Sequence, residues 1–154
     1  MTRSEYIHYI APVAQKVCKG TPLLPSVLMA QAILEGNNGN SLLAAKFHNH
    51  FGIKASKGWN GKVINLSTKE VFNGNAVTIK DGFRVYDSLE EGFKDRNDFL
   101  LKNPRYANAG LLVAKTYRQQ AEALQKAGYA TDPQYALKLI QVIEGSGNLK
   151  QFDI

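Results

Sequence analysis

Cysteine is almost absent from the chain of 154 residues, since Cys18 is the only one. A single cysteine excludes an intramolecular disulfide and a zinc site built on several cysteines. Long apolar runs are missing too, because every one is far shorter than the roughly 20 residues that a membrane-spanning helix needs. We therefore expect no transmembrane helix, and we expect Cys18 to be buried as a small apolar residue on the first helix.

Several catalytic motifs are also missing. The sequence contains no G-x-S-x-G nucleophile elbow, no phosphate-binding glycine loop, no dinucleotide fingerprint and no H-E-x-x-H motif. His48 and His50 flank Asn49, but two histidines on an extended segment would need a third ligand to hold a metal. We therefore expect neither a metal nor any other cofactor.

Positive charge is in excess but is not concentrated. The 19 Lys and Arg against 13 Asp and Glu give a formal net charge of +6, and the basic residues are scattered from Arg3 to Lys150. Because no nucleic-acid-binding signature accompanies them, we do not expect a nucleic-acid partner. An anionic polymer such as a bacterial wall would be attracted by the same charge.

The first ten residues resemble no secretory signal peptide. Glu5 and His8 stand where such a peptide would have its apolar region. We therefore expect either that the chain is exported by another route or that it is a piece of a larger protein.

Apolar residues recur at helical spacing in several segments. The ends of these segments carry residues typical of helix ends, with a capping residue or proline at the start and glycine at the end. The predicted helices are Thr2 to Lys19, Pro25 to Glu35, Ser88 to about Leu101, about Leu111 to Lys126, and Asp132 to Ile143.

The segment between Phe51 and Tyr86 has a different composition, because glycine, asparagine, threonine and β-branched residues replace the helix formers. Asn73-Gly74 is a strong hairpin-turn signal. The predicted short strands are Val63 to Leu66, Thr68 to Phe72, Ala76 to Ile79, and Phe83 to Tyr86. The order of helices, hairpin and helices indicates a single α+β domain over residues 1–154, with its β part at about 55–86.

Two glutamates are candidates for acid-base chemistry. Glu35 falls in the last turn of a predicted helix, where the negative end of the helix dipole disfavours ionisation and raises the pKa. A carboxylic acid that stays protonated near neutral pH can protonate a leaving oxygen. Glu70 lies on a predicted strand beside the Asn73-Gly74 turn, and a pair of acids is what glycoside hydrolysis requires.

Aromatic side chains offer flat surfaces on which sugars stack. Trp59 lies in a glycine-rich loop and Tyr129 in a loop without periodicity, which favours a contact role over core packing for both. Tyr86, Tyr106 and Tyr117 are further candidate sugar platforms. The residues that we expect in the core are Phe51, Phe83, Phe93 and Phe99.

Several segments together resemble one family, the peptidoglycan-cleaving β-N-acetylglucosaminidases of glycoside hydrolase family 73, which include flagellar-rod and autolysin domains. The resemblance spans most of the chain, and the order and spacing of the segments make it specific. The matching segments are Ala30-Gln31-Ala32-Ile33-Leu34-Glu35, Asn49-His50-Phe51-Gly52-Ile53-Lys54, Thr68-Lys69-Glu70, Phe83-Arg84-Val85-Tyr86-Asp87-Ser88, Arg105-Tyr106, and Gly128-Tyr129-Ala130-Thr131-Asp132-Pro133-Gln134-Tyr135-Ala136.

The resemblance implies a lysozyme-like fold, with a mainly helical lobe, a small antiparallel β-hairpin lobe and a cleft between them for the sugar chain. It implies Glu35 as the general acid, Glu70 as the acid of the β-lobe, and Tyr129 as an active-site tyrosine. The substrate's own 2-acetamido group is an alternative to Glu70 as the stabilising group. The substrate-binding candidates are Asn49, Phe51, Trp59, Tyr86 and Tyr106.

Two departures from the family pattern concern substrate contacts. After Glu35 the family commonly has a Ser-Gly-Trp-Gly-like sequence, whereas this chain has Gly36-Asn37-Asn38-Gly39 and so lacks an aromatic residue there. His48 and His50 stand where asparagine and leucine are usual. Neither departure affects the proton donor, but both affect bond preference.

The resemblance predicts a peptidoglycan hydrolase that cuts the β-1,4 bond after N-acetylglucosamine. We expect a monomer that acts on glycan strands in the periplasm or wall without inserting into a membrane. Delivery by a phage holin, a virion, a secretion system or a larger exported protein would suit a chain without a signal peptide. The alternatives are a muramidase or lytic transglycosylase on the same fold, or a wall-binding module without catalysis.

Overall fold

Helices form most of the fold. The computed structural model describes residues 1–56 and 58–154, with the backbone alone for residues 69–72. The helices are α1 (Arg3–Cys18), α2 (Pro25–Gly36), α3 (Leu42–Phe47), α4 (Leu89–Lys102), α5 (Pro104–Asn108), α6 (Tyr117–Lys126) and α7 (Tyr135–Ile143). One short 3₁₀ turn, Leu111–Val113, lies between α5 and α6, and a second, Leu149–Phe152, lies after α7.

The ends of α2 confirm the sequence prediction and position Glu35. Pro25 occupies the first turn, where its missing N–H costs no hydrogen bond. Asn37 ends the helix in the left-handed conformation at φ 51°, and its N–H donates to the carbonyl of Ile33. Glu35 therefore lies in the last turn of a helix that is otherwise almost entirely buried.

Two predicted helix starts are wrong. The helix expected from Leu111 begins only at Tyr117, because Thr116 and Gln119 form a capping box there. The helix expected from Asp132 begins only at Tyr135, because the Asp132 carboxylate accepts the N–H of Gln134 within the preceding turn at 2.9 Å. The short helices α3 and α5 were not predicted, since five or six residues are too few to show a helical period.

The four predicted strand segments belong to two longer strands. β1 (Lys62–Phe72) and β2 (Asn75–Val85) pair antiparallel, from Lys62 opposite Val85 to Phe72 opposite Asn75. Asn73 and Gly74 form the turn with φ 50° and 80°, which confirms the hairpin prediction. The predicted breaks between the strand segments are wrong. The polar residues there interrupt the apolar pattern in the sequence, but their backbone groups still pair with the opposite strand.

The fold class is confirmed as mostly helical with a small two-stranded antiparallel sheet. The core is centred on α2, which packs against α1, α6 and α7. Cys18 is buried at the end of α1, as predicted. Of the helices that the structure describes, none is both long enough and apolar enough to span a membrane.

Candidate active site

Glu35 lies between two cavities on the surface of the helical core. The first has a volume of about 430 Å³ and the second about 320 Å³. Glu35 and Gly52 line both of them, whereas the other lining residues differ. If a linear molecule occupied both cavities, the middle of that molecule would therefore lie near the Glu35 carboxyl group.

The Glu35 side chain is open to solvent on one side, yet surrounding protein removes part of its hydration. This partial burial raises the pKa of Glu35, and the nearby Tyr135 hydroxyl opposes the rise. The predicted direction of the pKa shift is thus confirmed. Its main cause is lost hydration, which depends on tertiary packing and not on the position within the helix.

Aromatic rings form one wall of the first cavity. Tyr129 is half-buried and stacks on Tyr135 with ring centroids 5.7 Å apart and planes 13° apart. Tyr106 is buried beside it, with centroids 6.3 Å apart, and its hydroxyl has no hydrogen-bond partner within the described part of the chain. Phe51 and Phe99 complete the aromatic lining. Burial raises the pKa of Tyr129 and Tyr135, so both hydroxyls stay protonated at neutral pH.

The rim of the first cavity carries positive charge. Lys54 and Arg105 are both exposed and both line it, together with the neutral polar residues Ser56 and Asn103. Lys54 also pairs with Asp81 at 3.2 Å. An anionic group on a ligand would therefore meet favourable charge at this rim.

Asn49 lines the second cavity but also holds the loop that separates the cavities. Its Nδ2 donates to the carbonyls of Ile53 and Arg84 at 2.9 Å each, and its Oδ1 accepts the N–H of Ile53 at 3.0 Å. The Asn49 side chain is 1% exposed, and its hydrogen bonds close the loop around Gly52. A contact of Asn49 with substrate stays a prediction.

The second candidate acid lies on β1. The backbone of Glu70 pairs opposite Val77, and its side chain lies outside the described residues. Thr68, two residues earlier on the same strand, lines the second cavity. This strand therefore contributes to the cleft, and the role of Glu70 stays a prediction.

Trp59 and Tyr86 do not lie with the other candidates. Among the residues described as lining the two cavities, neither is present. Trp59 donates from Nε1 to the carbonyl of Lys62 at 3.0 Å, and the Arg84 guanidinium lies 4.6 Å from its ring centroid. The buried Tyr86 donates to Asp95 at 2.5 Å. Both side chains contact the base of the hairpin, and their role in substrate binding stays a prediction.

Sequence reasoning missed a polar network behind Glu35. Gln31, Arg96 and Tyr135 are all buried and are joined by hydrogen bonds. One signal was available, since Gln31 is a polar residue in the apolar stretch of α2, four residues before Glu35. The other two residues come from α4 and α7 and carried no such signal.

The two histidines noted in the sequence have different surroundings. His48 ends α3 in the left-handed conformation at φ 56°. His50 is buried, stacks on Tyr6 and has Nδ1 2.6 Å from the Tyr6 hydroxyl oxygen. Among the side chains that the structure describes, no three of histidine, cysteine, aspartate or glutamate gather as metal ligands would.

We expect His50 to make stability depend on pH. Burial, with a smaller effect of the His48 charge, lowers the pKa of His50 from 6.5 to about 4. Between these values the unfolded chain binds a proton that the folded protein excludes, so the free energy of unfolding should fall as the pH is lowered from 6.5 to 4. The loss should be on the order of 3 kcal/mol.

Urea unfolding at pH 7 and pH 4 measures this effect. The His50→Leu variant serves as the comparison, because it removes the titrating ring and leaves every other ionisable residue in place. The wild type should lose more stability than the variant over this range. Equal losses in the two proteins would contradict the assignment to His50.

Known proteins resemble this chain over most of its length. A family model described as mannosyl-glycoprotein endo-beta-N-acetylglucosaminidase matches residues 11–148. The peptidoglycan hydrolase FlgJ of Escherichia coli (strain K12) is 43% identical over 122 residues, which cover 77% of this chain and 38% of that protein. A probable N-acetylmuramidase of Lactococcus lactis subsp. cremoris is 41% identical over 155 residues, which cover 96% of this chain and 34% of that protein.

A solved structure also resembles this chain. The catalytic domain of the autolysin Auto from Listeria monocytogenes superposes with a TM-score of 0.84 at 37% identity, over 99% of this chain and 89% of that one. The chain thus spans nearly all of a catalytic domain. It spans less than two fifths of the length of the two curated relatives, 38% of one and 34% of the other.

Proposed function

Because the chain belongs to the glucosaminidase family of glycoside hydrolases, we propose that it cleaves peptidoglycan glycan strands at the β-1,4 bond after N-acetylglucosamine. The observation that carries this proposal is the position of Glu35, a carboxyl group with a raised pKa between two cavities, one of which has an aromatic wall. A glycan strand is a linear polymer with flat apolar sugar faces and polar edges, which matches both features.

In the proposed reaction Glu35 is the general acid. Its raised pKa keeps a larger fraction of the carboxyl group protonated near neutral pH, and the proton passes to the glycosidic oxygen as the bond to the anomeric carbon breaks. The positive charge that develops on the sugar ring then needs an anionic or nucleophilic partner. Glu70 of β1 or the substrate's 2-acetamido group would supply it. Water then adds its oxygen to the anomeric carbon and gives up a proton to the base, which leaves a reducing sugar end.

Tyr129 and Tyr106 are proposed to orient the sugar on the acid's side of the cleft. Both line the first cavity, and Tyr129 carries a protonated hydroxyl close enough to feel the charge of Glu35. The hydroxyl of Tyr106 has no partner among the described residues and is buried, so a hydroxyl or amide of the bound sugar would reach it only after the cavity lining shifts. Phe51 contributes a buried apolar floor.

Two further features support the proposed mode of action. Room on both sides of Glu35 supports cleavage within a strand, because sugars can then lie on either side of the broken bond. The formal net charge of +6 favours association with an anionic wall. We therefore propose an endo-acting enzyme that works as a monomer in the periplasm or the wall.

A muramidase is the second candidate, because one curated relative carries that name at 41% identity. It would use the same acid on the bond after N-acetylmuramic acid. The lost aromatic residue after Glu35 is where such a preference would arise, because His50 is buried and neither His48 nor His50 is among the residues described as lining the two cavities.

Mass spectrometry of borohydride-reduced products from purified sacculi separates these functions. We expect fragments ending in N-acetylglucosaminitol, released by the wild type and not by Glu35→Gln. Ends of N-acetylmuramitol would identify a muramidase, and anhydro ends a lytic transglycosylase. Binding to sacculi without release of soluble fragments would identify a binding module and contradict the proposed hydrolysis.

A further inference from the structure

Arg96 of α4 is a fully buried cation that lies behind the candidate acid. Its side chain is 1% exposed. Nε and Nη2 donate to Oε1 of Gln31 at 2.9 and 2.7 Å, and Nη1 donates to Oδ1 of Asn97 at 2.7 Å. These acceptors are neutral, and no ion pair between described residues includes Arg96. Since a buried charge without a counter-charge is costly, packing alone does not account for it.

Arg96 determines the orientation of the Gln31 amide. A guanidinium only donates hydrogen bonds, so Gln31 must present its oxygen to Arg96 and its nitrogen to the opposite side. There Nε2 of Gln31 donates to the Tyr135 hydroxyl oxygen at 2.9 Å. Because this oxygen accepts from Gln31, the proton of the Tyr135 hydroxyl is left for another acceptor.

The acceptor in reach is Glu35. Gln31 and Glu35 are four residues apart on α2 and so lie on one face of the helix. The Tyr135 hydroxyl that Gln31 contacts is near enough to Glu35 to favour the ionised carboxylate and to hold the pKa of Glu35 below the level that burial alone would set. The chain of donors thus runs from Arg96 through Gln31 and Tyr135 to Glu35.

We propose that Arg96 and Gln31 are positioning residues that hold the Tyr135 hydroxyl as a hydrogen-bond donor toward Glu35. The proposal rests on the proposed function, in which Glu35 is the acid. Without Arg96, the Gln31 amide is free to rotate and accept the Tyr135 proton. Glu35 then loses a bond to its ionised form, and its pKa rises.

Other titratable and charged groups surround Glu35, and none of them is changed by the variants that test the proposal. They are Tyr129 in the loop before α7, Tyr106 and Arg105 of α5, and Lys54 on the opposite rim. The side chain of Glu70 lies outside the described residues. These groups remain in every variant. Arg96→Met removes a positive charge and Gln31→Glu adds a negative one, and either change can raise the pKa of Glu35 by itself, so Tyr135→Phe, which changes no charge, is the decisive variant.

The test is a carbon-13 titration of the Glu35 carboxyl group in the intact protein, with Glu35→Gln to assign the signal. Tyr135→Phe, Arg96→Met and Gln31→Glu should each raise the pKa of Glu35 by about one pH unit. The Gln31→Glu variant keeps Arg96 paired and its space filled, so it guards against loss of folding. Its carboxylate has no N–H and must accept the Tyr135 proton.

The combination of two variants distinguishes positioning from general damage. Arg96→Met together with Tyr135→Phe should raise the pKa of Glu35 no more than Tyr135→Phe alone, because Arg96 acts through that hydroxyl. Tyr6→Phe is the matched control, since it removes another buried, hydrogen-bonded hydroxyl and should leave the pKa of Glu35 in place. Additive shifts, or an unchanged pKa of Glu35 in Tyr135→Phe, would overturn the proposal.

The alkaline limb of the kcat profile on sacculi provides the functional readout and should move upward with the titrated pKa. If Glu35→Gln stays active, the proposed function fails, and the positioning proposal fails with it. If Glu35→Gln is inactive but the alkaline limb of the kcat profile and the titrated pKa are the same in wild type and Tyr135→Phe, only the positioning proposal fails.

Discussion

The Glu35→Gln variant is expected to retain the native fold and to lose about 10²- to 10⁴-fold of the rate of glycan hydrolysis. Glutamine has the same shape as glutamic acid but cannot donate a carboxyl proton to the leaving oxygen. The fold should survive because Glu35 is exposed in the last turn of α2, while the helix is held by its buried apolar residues. Replacing a partly desolvated acid with a neutral amide should leave the free energy of unfolding unchanged or slightly higher.

Release of soluble fragments from sacculi measures the rate, and thermal unfolding checks the fold. Glu122→Gln is the matched control, because it makes the same chemical change at an exposed position on α6 outside both cavities next to Glu35. The control should hydrolyse at the wild-type rate. A Glu35→Gln rate within a few-fold of wild type would show that another group supplies the proton.

The Phe93→Ala variant is expected to lower the free energy of unfolding by about 3–5 kcal/mol. Phe93 of α4 is fully buried, and its ring lies 5.6 Å from that of His50 and 5.4 Å from that of Phe51. It therefore attaches α4 to the loop that carries Gly52 between the two cavities. Against a total stability of about 5–15 kcal/mol, this loss is a large fraction.

Urea unfolding of Phe93→Ala measures the loss. Leu101→Ala on the same helix is the comparison, because Leu101 is 37% exposed and leaves no enclosed cavity when it is shortened. The comparison variant should lose less than about 1 kcal/mol. Similar losses in the two variants would contradict the central position of Phe93 in the core.

Element ends could be predicted where one residue decides the local backbone. Pro25 starts α2, and the glycine- and asparagine-rich segment after Glu35 ends it at Asn37. The Asn73-Gly74 turn was predictable for the same reason, since few residues adopt positive φ without strain. These features depend on neighbours in sequence and not on packing.

Predictions were wrong or missing where the outcome depends on competing local bonds or on pairing. Thr116 caps α6, whereas the Asp132 carboxylate accepts a hydrogen bond within the turn before α7 and caps no helix. The hairpin strands continue through polar residues because each backbone group pairs with the opposite strand. Helices of five or six residues, such as α5, are held by their surroundings and leave no period in the sequence.

The sequence by itself determined which residues are candidates for the chemistry and where the chain turns. Glu35 at a helix end, Glu70 on a hairpin strand and Tyr129 in a loop are recognisable because their positions follow from local backbone preferences and from the family's motifs. The predicted direction of the pKa shift of Glu35 also came from sequence, through the helix dipole.

Only the tertiary structure decided what surrounds Glu35. α7 packs against α2 and α4 packs against α1. This arrangement brings Arg96 and Tyr135, separated from Gln31 by 65 and 104 positions, into one hydrogen-bonded chain. The same packing places Tyr106 and Tyr129 in the cavity and leaves Trp59 and Tyr86 at the base of the hairpin. Desolvation and hydrogen bonding act over a few ångströms in space, so the residues that tune an acid cannot be read from their distance along the chain.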